Sequence, residues 1–146
     1  MRTIADALWD ALAPRGVSWI GFYKIAGEAN DHAVEPASAM LLGPHRDKPA
    51  CSPIGMHGAC GQSFTERTTL VVTDVANLGE GYVACDPKDI AELVIPCTDP
   101  DGSCWGVLDA DSFERGCFDE RDAGAVWQVL IAAGLAHGES PTVRVV

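Results

Sequence analysis

The chain has 146 residues, the length of one ordinary domain with enough interior to bury a hydrophobic core. Apolar residues make up 47% and charged residues 21%, which argues against a disordered chain. A net charge of −11, with ten scattered Lys and Arg, argues against a nucleic-acid partner, because phosphate binders present clustered bases.

No stretch reaches the length of a membrane span, and Met1 is followed by an amphipathic pattern rather than a signal peptide. The expectation is a cytosolic protein with no membrane partner. Six cysteines in a compartment that keeps thiols reduced suggest reactive thiols, a metal site or buried apolar cysteines rather than a disulfide scaffold.

Residues 3–13 place Ile4, Ala5, Leu8 and Leu12 on one helical face, with Thr3 as the predicted cap and Pro14-Arg15-Gly16 as the stop. The β-branched and aromatic run 17–24 predicts a strand, and a polar loop over 27–36 leads to a second strand at 38–42, a long-looped hairpin. Residues 43–58 are rich in Pro, Gly, His and charge and read as a long functional loop. A short helix over 60–66, opened by Gly58-Ala59, precedes a strand at 68–73 and a second irregular stretch at 76–85. Asp86-Pro87 then reads as a helix cap and first helical residue.

Strands at 93–98 and 104–110 flank the turn Asp99-Pro100-Asp101-Gly102. Asp119 caps a final helix whose Ala123, Val126, Trp127, Leu130 and Ile131 share one face. The tail from 138 is expected to be loosely held. The order predicts a single α+β domain over 1–146, mostly antiparallel, with helices packed on one face of the sheet.

Cys51, Cys60 and Cys85 lie in or beside the two irregular stretches, whereas Cys97 and Cys104 fall in strand patterns, where cysteine behaves as a small hydrophobe. Cys117 precedes the last helix. Structural zinc sites favour close Cys pairs, and no two cysteines here have that spacing. Thiol chemistry fits better. Cys60 and Cys85 each sit at a predicted helix start, where unpaired N–H groups and the helix dipole favour a thiolate. Cys51, in a loop, suits a resolving thiol.

Trp-Ile-Gly-Phe-Tyr (19–23), Leu-Gly-Pro (42–44), Lys-Pro-Ala-Cys (48–51), Gly-Ala-Cys-Gly (58–61), Ala-Cys-Asp (84–86), Glu-Leu-Val-Ile-Pro (92–96) and Gly-Val-Leu-Asp-Ala-Asp-Ser (106–112) together resemble the free methionine-R-sulfoxide reductases. In order, the resemblance covers residues 18–136. It implies a GAF fold with long active-site loops. It also implies thiol-dependent reduction of free methionine sulfoxide without metal or organic cofactor, a thioredoxin-like reductant and a homodimer.

By the same resemblance Cys85 is the nucleophile and Cys51 the resolving thiol, with Cys60 able to shuttle the disulfide. Glu92, Asp109 and Asp111 bind the substrate ammonium, and Glu92 and Asp111 also count as catalytic through protonation of the sulfoxide oxygen. Trp19 and Tyr23 wall the methyl group. The spacing of Asp109 and Asp111, and of Trp19 and Tyr23, puts each pair on one strand face. The alternative is a GAF module that binds a small ligand or senses redox state through its thiols without turnover.

Overall fold

The computed structural model describes residues 1–26, 39–79, 82 and 84–146. Helix α1 (Arg2–Leu12) buries Ala5, Leu8 and Leu12, and a 3-10 turn through Pro14 ends at Gly16 with φ 104°, a left-handed conformation open to glycine. Thr3 is not the cap. The Met1 carbonyl already accepts from the Ile4 and Ala5 N–H groups, so the helix begins one residue before Thr3.

Strand β1 (Val17–Ile25) pairs antiparallel with β2 (Ala39–Arg46), the hairpin expected from the sequence; its connecting loop over 27–36 lies outside the described residues. β2 runs past Leu42 to Arg46, so the predicted loop starts later. A register shift between Gly21 and Tyr23 accommodates the extra residue around Gly43 and Pro44, as a β-bulge does. Ile54–Gly55 forms a two-residue strand, β3, on the outer edge of β2.

Helix α2 (Ala59–Glu66) and strand β4 (Thr69–Val72) follow. The helix expected at Asp86-Pro87 is a turn: the Asp86 carbonyl accepts from Asp89 N–H, and Ile90 N–H already bonds the Ser112 carbonyl. β5 (Ala91–Thr98) starts too soon to leave room for helical turns.

β5 and β6 (Cys104–Ser112) are joined by the expected turn, closed by Gly102 N–H to Asp99 O at 2.9 Å. Asp119 caps α3 (Glu120–Ala132) by accepting from the Arg121 and Asp122 N–H groups, and Asp122 returns the bond in a capping box. The tail is paired, not loose: β7 (Val143–Val145) lies parallel to β4, with Val146 N–H donating to Val71 O and Thr73 N–H to Val146 O. These backbone groups at the β4 edge need partners, and the tail supplies them.

The seven strands form one mixed sheet in the order β3-β2-β1-β6-β5-β4-β7, antiparallel except at β4-β7. Alternation sorts the central strands onto two faces. Ile20, Phe22, Leu93, Ile95, Leu108 and Ala110 pack against α1 and α3. Trp19, Tyr23, Val94 and Val107 pack on the opposite face with Ala59 and Cys60 of α2. No described helix is long and apolar enough to cross a membrane.

Gly61 sets how closely α2 sits on that second face. A Cβ there would lie 2.2 Å from the Met56 backbone. Glycine to alanine inside a helix ordinarily stabilises by roughly 1 kcal/mol; here the clash reverses the sign. Gly61→Ala is expected to lower unfolding free energy by about 1–3 kcal/mol, the usual cost of overpacking, measured by urea denaturation.

Candidate active site

Strand register builds the floor of the site. Across β1, β6 and β5, Trp19, Asp111 and Glu92 form one row; Gly21, Asp109 and Val94 form the next. Gly21 leaves room for the Trp19 ring, since a Cβ would meet Trp19 Cη2 at 2.5 Å. The Trp19 and Tyr23 rings lie 6.0 Å apart between centroids.

The two aromatic side chains also hold the loop that carries Cys51. Trp19 Nε1 donates to the Lys48 carbonyl and the Tyr23 hydroxyl to the Cys51 carbonyl, each at 2.9 Å. Ser52 Oγ accepts from Leu42 N–H at 3.1 Å. Lys48 then pairs with Asp86, next to Cys85. This half-exposed ion pair adds little energy; its effect is to clip the Cys51 loop to the Cys85 loop.

The result is a cavity of about 280 Å³ lined by all eight site residues expected from the sequence: Trp19, Tyr23, Cys51, Cys60, Cys85, Glu92, Asp109 and Asp111. It lies at the small end of ligand pockets, which span about 300–1,000 Å³. The thiols are not equivalent. Cys51 and Cys85 are both exposed and line the cavity together, near enough for the Cys51 thiol to help raise that of Cys85. Cys60 is buried, with its sulfur within 4.8 Å of an Asp109 carboxylate oxygen. Cys97 is fully buried in the opposite core.

No Lys or Arg is among the described residues lining this cavity. Burial, and then the charge of Asp109, hold Glu92 and Asp111 well above the usual carboxylate range. Asp109 is pushed up to about 7, chiefly by burial, with the Cys60 thiol acting the other way. Glu92 Oε2 and Asp109 Oδ1 are buried without a hydrogen-bond partner among the described residues. An acidic, buried floor with spare acceptor atoms suits a small cationic group.

The expected helix start is present at Cys60 and absent at Cys85, and burial raises both thiols. Cys85 precedes a turn, and burial together with the Cys51 thiol raises it to about 12. Cys60 does open α2, yet burial, Asp109 and Glu92 raise it. A helix terminus contributes about 0.3–2 kcal/mol, whereas full burial shifts a group by up to about 3–5 pKa units. Burial wins.

Sequence reasoning missed three neighbours. Tyr82 and His57 line the cavity with Glu92. Asp89 is buried, accepts from Ser18 Oγ and Asp86 N–H, and borders an adjoining cavity that shares Trp19, Cys85 and Asp111 with the first. All three lie in irregular segments with no periodicity to orient them.

No protein-family model matches the sequence. Fold and site place the chain in the GAF class: a solved GAF-domain structure superposes with a TM-score of 0.79 at 26% identity, over 94% of this chain and 75% of that one. A free methionine-R-sulfoxide reductase from Neisseria meningitidis, solved in complex with its substrate, matches with a TM-score of 0.71 at 31% identity, over 91% of this chain and 74% of that one. The free methionine-R-sulfoxide reductase of Saccharomyces cerevisiae is 35% identical over 126 residues, 84% of this chain; the match spans 65% of the yeast protein's length. The chain belongs to the free methionine-R-sulfoxide reductase family.

The buried acids predict an inverted pH dependence of stability. Asp109 in the fold keeps a proton up to about pH 7, whereas an unfolded Asp loses it near about pH 4. Between those values the folded state holds the extra proton, so stability falls as pH rises, by at most about 1.4 kcal/mol per pH unit for one proton. Urea titrations of the ligand-free protein from about pH 5 to about pH 7 should show the decline, and Asp109→Asn should make it shallower, Glu92 and Asp111 supplying the rest.

Proposed function

We propose that the protein reduces the R-sulfoxide of free methionine, with Cys85 as nucleophile, Cys51 as resolving thiol and a thioredoxin-like dithiol protein as final reductant in the cytosol. The placing of two exposed thiols, Cys51 and Cys85, on one cavity carries this reading, because that cavity is also lined by Glu92, Asp109 and Asp111 and by Trp19 and Tyr23. The yeast and Neisseria relatives bear the same activity in their names.

The substrate ammonium sits among the three carboxylates, where it replaces the missing counter-charge. The methyl group meets the Trp19 and Tyr23 rings. The substrate carboxylate faces the first turn of α2, whose opening N–H groups have no intrahelical acceptor. Cys85 is a thiol in the empty pocket, and the arriving positive charge favours its thiolate.

Cys85 Sγ attacks the sulfoxide sulfur while a protonated carboxyl gives its proton to the oxygen. The oxygen ends on Cys85 as a sulfenic acid, and methionine leaves with its sulfur reduced. Cys51 Sγ then attacks Cys85 Sγ, forming the disulfide and releasing the oxygen as water. An external dithiol exchanges the disulfide back to two thiols and is itself oxidised. Cys60 positions Asp109 rather than entering the first disulfide.

A coupled assay with thioredoxin, its NADPH-dependent reductase and racemic free methionine sulfoxide should consume the R form alone. Binding without turnover would leave a ligand-binding GAF module. In a single turnover without reductant, Cys85→Ser should release no methionine and Cys51→Ser about one equivalent, because the first step needs only the nucleophile. Glu92→Gln should lower the rate by about a hundredfold or more if this carboxyl supplies the proton; near-normal turnover would remove it from the mechanism.

A further inference from the structure

The innermost part of the cavity has a donor set that the sulfoxide chemistry does not require in that combination. One donor atom each from Cys60, Glu92 and Asp109 lies within 4.8 Å of the other two. The three residues are only 5%, 5% and 6% exposed. They come from three elements, α2, β5 and β6, so their convergence does not follow from local sequence. Glu92 Oε2 and Asp109 Oδ1 are the orphaned atoms, and a buried polar atom without a partner is costly to keep.

We infer that Cys60, Glu92 and Asp109 bind one divalent transition cation of the zinc class, and that the bound cation closes the pocket to substrate. Zinc bonds to sulfur at about 2.3 Å and to carboxylate oxygen at about 2.0–2.2 Å, so the three donors need only a small inward rotation to share one ion. A sulfur donor selects against magnesium and calcium, which take oxygen ligands. Three protein donors leave a fourth position facing the cavity, where Asp111 or water completes the shell.

Such an ion is an inhibitor, not a cofactor. It occupies the carboxylates that the substrate ammonium needs, and it takes the proton-donating acid out of reach. This consequence for turnover rests on the reductase reading; the binding itself does not.

Cobalt(II) titration of the reduced full-length chain under anaerobic conditions tests the site directly. The expected result is a thiolate-to-cobalt charge-transfer band with tetrahedral d–d bands, saturating at about one cobalt per chain and bleached by zinc. Cys60→Ser should lose the charge-transfer band, Cys51→Ser and Cys85→Ser should keep it, and Asp109→Asn should weaken binding about tenfold or more. If Cys60→Ser fails to fold, the contrast between Asp109→Asn and Cys51→Ser decides.

A band that survives Cys60→Ser, or one lost in Cys85→Ser, would put the ion on the redox pair and overturn the inference. So would the absence of any band at millimolar cobalt. A cobalt band in a protein without sulfoxide turnover would defeat the reductase reading alone; turnover without a band would defeat the cation site alone.

Discussion

Glu92 and Asp109 stand buried on neighbouring strands, on a pocket with no Lys or Arg among its described lining residues. Ionised carboxylates are expensive in such a place unless a counter-charge joins them. Burial holds both carboxyls above the usual carboxylate range, which favours their protonated forms. The same desolvation raises the thiols of Cys60 and Cys85. The sheet supplies the rigidity that keeps this unfavourable arrangement in place, since both acids lie on strands paired on either side.

The aromatic residues connect that floor to the redox chemistry above it. Trp19 and Tyr23 belong to β1, one strand away from the acids. Their polar tips hold the carbonyls of Lys48 and Cys51. A loop with little regular structure of its own is thus tied to β1 at two points. The Lys48–Asp86 pair extends the tie to the segment carrying Cys85. Packing, loop placement and thiol placement are consequences of one pair of indole and phenol side chains.

The fold was legible wherever local pattern and tertiary demand agree. The α1 face, the β1 run, the Asp99–Gly102 turn and the Asp119 cap are all in the sequence as periodicity, β-branching or turn chemistry. Three readings gave way to long-range pairing. β2 extends through Gly43-Pro44 because a bulge absorbs them. Asp86-Pro87 stays a turn because Ile90 is already committed to Ser112. The tail is ordered because β4 would otherwise leave an unpaired edge.

For the candidate site, residue identity and strand parity were readable from the chain. The spacing of Asp109 and Asp111, and of Trp19 and Tyr23, places each pair on one face whatever the rest of the fold does, because the strand repeat is a local property. Which thiol meets Cys85 was not readable, since Cys51 and Cys60 are both remote from it in sequence and loop geometry has no period. Nor was the protonation of the acids and thiols, because desolvation depends on what every other segment packs over them. Tertiary structure decided both: it placed Cys51 and Cys85 exposed on one cavity, set Cys60 beside Asp109, and buried Cys60, Glu92 and Asp109 under the surrounding segments.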